Sequence, residues 1–348
     1  MPLLRAEWWE AHQPLVVFMW IILLVVPFAI VYGAGDTFET VLECIVNDYL
    51  TFIVLLFGLF CVSGNITVGG DFAGSPRVNA CLLALGTLLS SCIGTTGANM
   101  GDCLTPIGDP PLLMGFMRGV PFFWSMHLLP ILIFNLVILL FVFYHLDKKA
   151  YRKDIAEGRK PDISRPGTEF YIEGLHNIIL LAAFLSFKTT DSSIRTKNHF
   201  TWGAIKEVAV LFIGIFITMQ PALMLLKSVG PNLGISEPYQ MFWATGALSS
   251  FLDNTPTYLV FLTTAGTLGL TGGITTALGQ ISVNLLEAIS CGAVFMGANT
   301  YIGNAPNFMV KAISDENGVN MPSFFGYILW SLAFLVPVFI LDMLVFFL

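Results

Sequence analysis

Two stretches rich in Gly, Pro, Asn and Thr break the apolar runs of this chain, and any fold must accommodate both. The clearer is Gly297-Ala298-Asn299-Thr300-Tyr301-Ile302-Gly303-Asn304-Ala305-Pro306; an earlier counterpart runs from Asn99 through Thr105-Pro106-Ile107-Gly108-Asp109 to Pro111. Apolar residues make up 55% of the 348 and charged residues 11%, under half the charged share of an average soluble domain, about a quarter. The chain is therefore read as an all-α polytopic membrane protein. In a bilayer, backbone leaves the helix only where it lines a cavity or is buried in protein. Paired interruptions in corresponding places point to a transporter's binding site.

The formal charge of −7 says little, because the charges sit in a few loops. Seven of the sixteen Lys and Arg residues (Lys148, Lys149, Arg152, Lys153, Arg159, Lys160, Arg165) share one hydrophilic segment. By the positive-inside rule this loop is expected to be cytoplasmic, in an inner (plasma) membrane protein. The cluster reads as a topology signal rather than a nucleic-acid surface. The six cysteines lack CxxC or Cys/His spacing and read as small buried hydrophobes. Met1 to His12 lacks the basic start and cleavage site of a signal peptide, and Trp8 and Trp9 suggest an interfacial segment. No phosphate-binding loop, zinc-like His spacing or Ser/His/Asp set argues for an enzyme, and no cofactor is expected.

Candidate spans are Pro14–Tyr32, Asp48–Val62, Val78–Ala98, Val120–Leu146, Leu175–Phe187, Ile205–Lys227, Tyr239–Leu252 with a return Tyr258–Leu262, Ile274–Phe295 and Phe324–Leu348. This divides the chain into a first repeat (1–146), a charged linker (147–174) and a second repeat (175–348). The halves align in order. Phe57-Gly58-Leu59-Phe60 matches Ile213-Gly214-Ile215-Phe216 at a shift of 156. Leu89-Ser90-Ser91 to Thr96 matches Leu248-Ser249-Ser250 to Thr255 at 159. Thr105–Asp109 matches Thr300–Asn304 at 195, and Phe122-Phe123 matches Phe324-Phe325 at 202. The jump from 159 to 195 leaves the first half 36 residues shorter. That is roughly one membrane crossing with its connection, so the first repeat is expected to be incomplete.

Asp253-Asn254-Thr255-Pro256-Thr257 lies between two arms too short to cross separately and reads as a re-entrant hairpin tip. The alternative is an ordinary loop at the membrane surface. Asn299 to Pro306 reads as the break of a discontinuous helix, or else as a proline kink satisfied by its neighbours. Half-helix N-termini attract anions and C-terminal carbonyls attract cations. Asp109 has neutral Asn304 as repeat partner, and an intramembrane carboxylate is a functional hypothesis by default. Asp109 and Asp253 read either as cation or proton sites or as interfacial loop residues. Glu207, Glu287 and Asp342 belong to no repeated motif. Arg118 and Lys311 follow the two motifs and either meet an anionic substrate or snorkel to the interface. The sequon Asn65-Ile66-Thr67 reads as chance.

At these motifs the chain resembles the ion-transporter superfamily of arsenite permeases, dicarboxylate and citrate carriers and sodium:proton antiporters. NMGDCLTPIGDPP, SSFLDNTPTYLVF and GANTYIGNAPNFMVKAI carry the likeness, which is nearest to the citrate-transport branch whose members are often described as antiporters. The resemblance implies two inverted repeats, each with a re-entrant hairpin and a broken helix, often in a homodimer. It places the hairpin-tip role on Asp253, Asn254, Thr255 and Thr257, with Thr95 and Thr96 as the first-half tip. It places the broken-helix role on Asn299, Thr300, Gly303 and Asn304, and on Asn99, Thr105, Gly108 and Asp109.

Departures from the family are an apolar segment missing before the first span, a crossing missing near Ala98/Asn99, and Asp102 where the family tends to have Gly. Removing one crossing breaks the parity of inverted repeats, and Val78–Ala98 would then cross the bilayer.

The leading expectation is a sodium:proton antiporter. The alternative is a cation-coupled citrate or carboxylate transporter, and a third is a transport-deficient product of deletion. Sodium ion and proton are the expected coupling ions, and lipid, a small cation or a carboxylate the expected partners.

Overall fold

The computed structural model describes residues 6–63, 65, 67–69, 75–93, 100–158, 171–173, 188–191, 193, 196, 202–304, 307, 310–311, 314 and 319–348. In order these form α1 (Ala6–Tyr32), α2 (Ala34–Glu43), a π-helical segment (Cys44–Leu50), α3 (Thr51–Ser63), β1 (Thr67–Gly69), α4 (Pro76–Ile93), α5 (Pro110–Met117), α6 (Leu129–Ala156), β2 (Tyr171–Glu173), α7 (Gly203–Val229), α8 (Pro238–Ser249), α9 (Asn254–Gly266), β3 (Ile274–Thr276), β4 (Gly279–Ile281), α10 (Val283–Met296) and α11 (Phe324–Asp342). Short 3-10 turns at Gly101–Leu104, Phe122–Leu128 and Gly297–Asn299 join several of them.

Among the described residues, four helical stretches are long and apolar enough to cross a membrane: Ala11–Tyr32, Phe122–Ala156, Val208–Val229 and Phe324–Phe347. Their large side chains point outward, as in α1, where Leu15, Phe18, Trp20 and Ile30 are exposed. A helix apolar on every side but little covered by protein needs lipid as its solvent. The mostly helical chain is thus a multi-pass membrane protein.

Contacts divide the chain into two units, each drawn from both halves of the sequence. One comprises Met1–Thr67 and Gly174–Gly230, the other Val68–Glu173 and Pro231–Leu348. In the first, α1 and the π segment pack on α7. Phe52 stacks on Phe212 at 4.7 Å and meets Phe216 edge-on. The Tyr49 hydroxyl donates to the Ala209 carbonyl at 2.9 Å. Asn65 is buried and donates to the Cys61 carbonyl at 2.8 Å, which fits the chance reading of its sequon.

In the second unit α10 is the hub, packed along α8 and against α9. Leu285, Ile289, Ala293 and Val294 of α10 are all buried. Tyr258 of α9 lies over Gly115 of α5, where a Cβ would sit 2.5 Å from the phenol oxygen, so the two helices approach closely.

Three expectations change. Trp8 belongs to α1, which runs from Ala6 into the first span without a break, and its ring stacks on His12 at 4.7 Å. The segment Ile274–Phe295 is not one helix. Ile274–Thr276 pairs antiparallel with Gly279–Ile281, and only Val283–Met296 is helical. Gly272, Gly273 and Gly279 adopt positive φ there, which ends helices and favours turns. Finally, α6 runs ten residues past Leu146 to Ala156, because the Lys- and Arg-rich start of the linker is itself a good helix former. Leu175–Phe187 lies outside the described residues.

Candidate functional site

The two interrupted stretches are held by the same three hydrogen bonds. In the first copy the Thr105 hydroxyl donates to the Ser91 carbonyl at the end of α4. The Ser91 hydroxyl donates to the Gly101 carbonyl, and the Gly108 amide donates to Thr105 Oγ1 at 3.1 Å. In the second copy the Thr300 hydroxyl donates to the Ser250 carbonyl. The Ser250 hydroxyl is shared between the Gly246 carbonyl at 2.8 Å and the Met296 carbonyl at 3.0 Å, and the Gly303 amide donates to Thr300 Oγ1 at 3.1 Å. Ser91 and Ser250 are 159 apart, while Gly101/Met296, Thr105/Thr300 and Gly108/Gly303 are each 195 apart, the offsets found by comparing the halves. Each serine–threonine pair satisfies backbone groups that a broken helix leaves open.

Gly108 and Gly303 are glycines for one reason. A Cβ at Gly108 would lie 2.3 Å from the Asp102 carbonyl oxygen, and one at Gly303 would lie 2.6 Å from that of Gly297. Asp102 therefore stands where the second copy has Gly297. A Cβ on Gly297 would face Ser249 Oγ at 3.5 Å and Asn304 Cβ at 3.7 Å. The first copy fills the equivalent space with a carboxylate, whose neighbours Ser90 and Asp109 are the counterparts of Ser249 and Asn304.

Asp109 is 1% exposed and precedes α5 in extended conformation, its carbonyl accepting from the Leu112 and Leu113 amides. Its carboxylate does not cap its own helix. Both oxygens accept from Asn254 Nδ2 at 3.2 Å. Asn254, itself 1% exposed, is the first residue of α9, so the first interruption meets the turn between α8 and α9. That turn is built by Asp253, whose Oδ1 accepts the Thr255 amide at 3.0 Å as a helix N-cap. The Thr257 hydroxyl donates to the Asp253 carbonyl at 2.9 Å, and Thr255 Oγ1 donates to Asn254 Oδ1 at 3.4 Å. In the second interruption Asn299 donates to Ser250 Oγ at 3.0 Å. Thr300 and Asn304 are buried there.

The structure thus gathers Asp109 with Asn254, and Asn299 and Thr300 with Ser250. Asp253 has a capping role that needs no ligand. Thr95, Thr96 and Asn99 lie outside the described residues, as does the side chain of Glu207. The Lys311 ammonium lies 5.7 Å from the centre of the Tyr301 ring, held by the second interruption itself. Asp342 is fully buried and accepts from Asn135 of α6 at 3.0 Å.

Sequence reasoning passed over three contributors. Ser91 and Ser250 stood in the matched blocks without a role, because a serine that ends a helix has no signature of the carbonyl it will hold. Asn307, which donates to the Gly297 and Thr300 carbonyls at 2.9 and 2.8 Å, had no repeat partner to mark it.

A protein family described as "Putative citrate transport" matches the chain over residues 1–101, 98–184 and 178–347. The first break in that match falls beside Ala98/Asn99, where the two halves change register. No curated protein and no solved structure matches the chain.

Proposed function

The chain belongs to the citrate-transport family just described, and from that premise we propose that it is a secondary transporter moving a citrate-like carboxylate together with a cation. The observation that carries this reading is the buried contact of Asp109 with Asn254. It joins a carboxylate of the first interruption to the residue that opens α9. Half-helix N-termini attract anions, but that of α9 already holds the Asp253 carboxylate, and the Asp109 carboxylate lies against its first residue, Asn254. A substrate carboxylate approaching this N-terminus would meet like charge unless sodium or a proton neutralised it. Anion entry and cation binding are then linked, which is the essence of coupled transport.

In this reading α8 and α9, of 12 and 13 residues, are the arms of a re-entrant hairpin, each roughly 20 Å long and too short to span the roughly 30 Å hydrocarbon core. The Thr105 and Thr300 turns are breaks of discontinuous helices in two inverted repeats, the first incomplete. The chain sits in the plasma membrane with the 147–174 segment cytoplasmic, in a homodimer.

The test is uptake of radiolabelled citrate into proteoliposomes under an inward sodium or proton gradient. Uptake well above that of protein-free vesicles, requiring one gradient, is expected. A folded chain that takes up no citrate under either gradient sinks the proposal. Sodium:proton antiport is the second reading, favoured by the pairing of Asp102 with Asp109. It would appear as sodium-driven change of internal pH without citrate. Neither flux from folded protein would leave a transport-deficient product of deletion.

A further inference from the structure

Asp102 has the least compensated carboxylate in the described part of the molecule. Its residue is 0% exposed; the Ser90 hydroxyl is near enough to interact with the carboxylate, but neither oxygen makes a hydrogen bond of ordinary geometry. The nearby Ser90 hydroxyl gives its proton to the Thr87 carbonyl at 2.7 Å, which turns its lone pairs toward other partners. The charged neighbour of Asp102 is a second carboxylate, Asp109, itself buried. Among the described residues, Asp109 receives an amide from Asn254, at 3.2 Å to either oxygen. Taking a carboxylate out of water without a counter-charge is strongly unfavourable, and placing a second beside it adds repulsion in a medium that screens poorly. The Gly297 and Asn304 pair at the equivalent positions shows that the fold does not require these charges: the same clamp closes around a glycine and a neutral amide.

We infer that Asp102 and Asp109 together form a binding site for a small hard cation, sodium being the test ion, with Ser90 Oγ as a further oxygen donor. Oxygen donors alone suit alkali and alkaline-earth ions. Among the described residues no group of three His, Cys, Asp or Glu side chains is arranged to hold a metal, so a transition metal is not indicated. Asp102 is thereby the residue that makes the two interruptions differ in specificity. The first takes a cation and repels carboxylates, and the uncharged Thr300–Asn304 turn is left to meet an anion. This consequence rests on the transport reading, whereas cation binding does not.

The experiment uses the purified full chain in lipid nanodiscs, titrated with radiolabelled sodium and, separately, melted in sodium chloride and in choline chloride. Wild-type protein is expected to bind sodium and to melt at a higher temperature in sodium than in choline. Asp102→Gly, which copies the second interruption, and Asp102→Asn, which keeps the shape, are expected to weaken sodium binding more than tenfold. Both should melt at least as high as wild type in choline, with little response to sodium. Wild type that binds no sodium, or variants that bind it as wild type does, would overturn the inference. Should a variant fail to fold in choline, the burden that Asp102 places on the fold would be the reverse of that argued, which also overturns it. Binding is read without flux, so loss of citrate transport in wild type would count against the proposed function and leave this inference standing.

Discussion

The Thr105 and Thr300 turns share a backbone and differ in what the backbone encloses. Ser91 with Thr105, and Ser250 with Thr300, make matching hydrogen bonds. Inside them lie Asp102 and Asp109 in one copy and Gly297 and Asn304 in the other. Backbone groups away from water must be paired in any version of the site, so the clamp has little freedom to vary. The enclosed side chains carry no such obligation and can be divided between two tasks. The two turns therefore share their carpentry and differ in their chemistry.

The most severe way to break the comparison is to remove the charge from one side. Asp109→Asn makes the first turn resemble the second, and citrate uptake in proteoliposomes is expected to fall by about 100-fold, on the order of 3 kcal/mol. Asn304→Asp should impair transport far less if the two turns have separate tasks; an equal loss would erase the distinction.

Next in size are the glycines both copies need. Gly108→Ala and Gly303→Ala each press a methyl group against backbone and should destabilise the protein by about 3 kcal/mol, read as lower melting temperature. A harmless alanine at either position would mean that its turn is not closed as described.

Smaller again are the clamps themselves. Thr105→Val and Thr300→Val should each cost about 1–2 kcal/mol through lost hydroxyl bonds, with similar values in the two copies. A large disparity in thermal unfolding would show that the shared geometry hides unequal stabilisation.

The smallest effect separates capping from ion binding at Asp253. Asparagine is as good an N-cap as aspartate, so Asp253→Asn should leave stability within about 0.5 kcal/mol of wild type and most citrate uptake intact. Abolished uptake in a well-folded Asp253→Asn protein would restore the ion-binding role that the sequence suggested.

The sequence made the long spans and the paired motifs legible. Ile205–Lys227 lies within α7 at Gly203–Val229, and the offsets of 159 and 195 coincide with matching hydrogen bonds. Such features depend on local apolarity or on motifs that recur in order, and both leave a linear record. What stayed hidden depends on which segments cross. Asp102 looked like a stray departure because its neighbour Ser90 is twelve positions away on another helix. The β3–β4 hairpin was absorbed into a span because its Ile and Leu residues continue the apolar run. The capping bond of Asp253 was not legible because a capping carboxylate and a binding one have the same letters around them.

One exchange between the copies bears on how they can have changed over time. Gly101 has no room for a Cβ beside the Thr87 carbonyl, and Gly246 none beside the Met296 sulphur. Thr87 corresponds to Gly246 and Gly101 to Met296 at the offsets of 159 and 195, so the glycine has changed sides of the contact. The two members of each pair inherit together. Recombination that carried α10 of the second copy into the first would set Met296 against Thr87, and the reciprocal event would face Gly101 with Gly246 and leave a hole. Each contact therefore works only as a pair, and neither half can lend a single residue of it to the other.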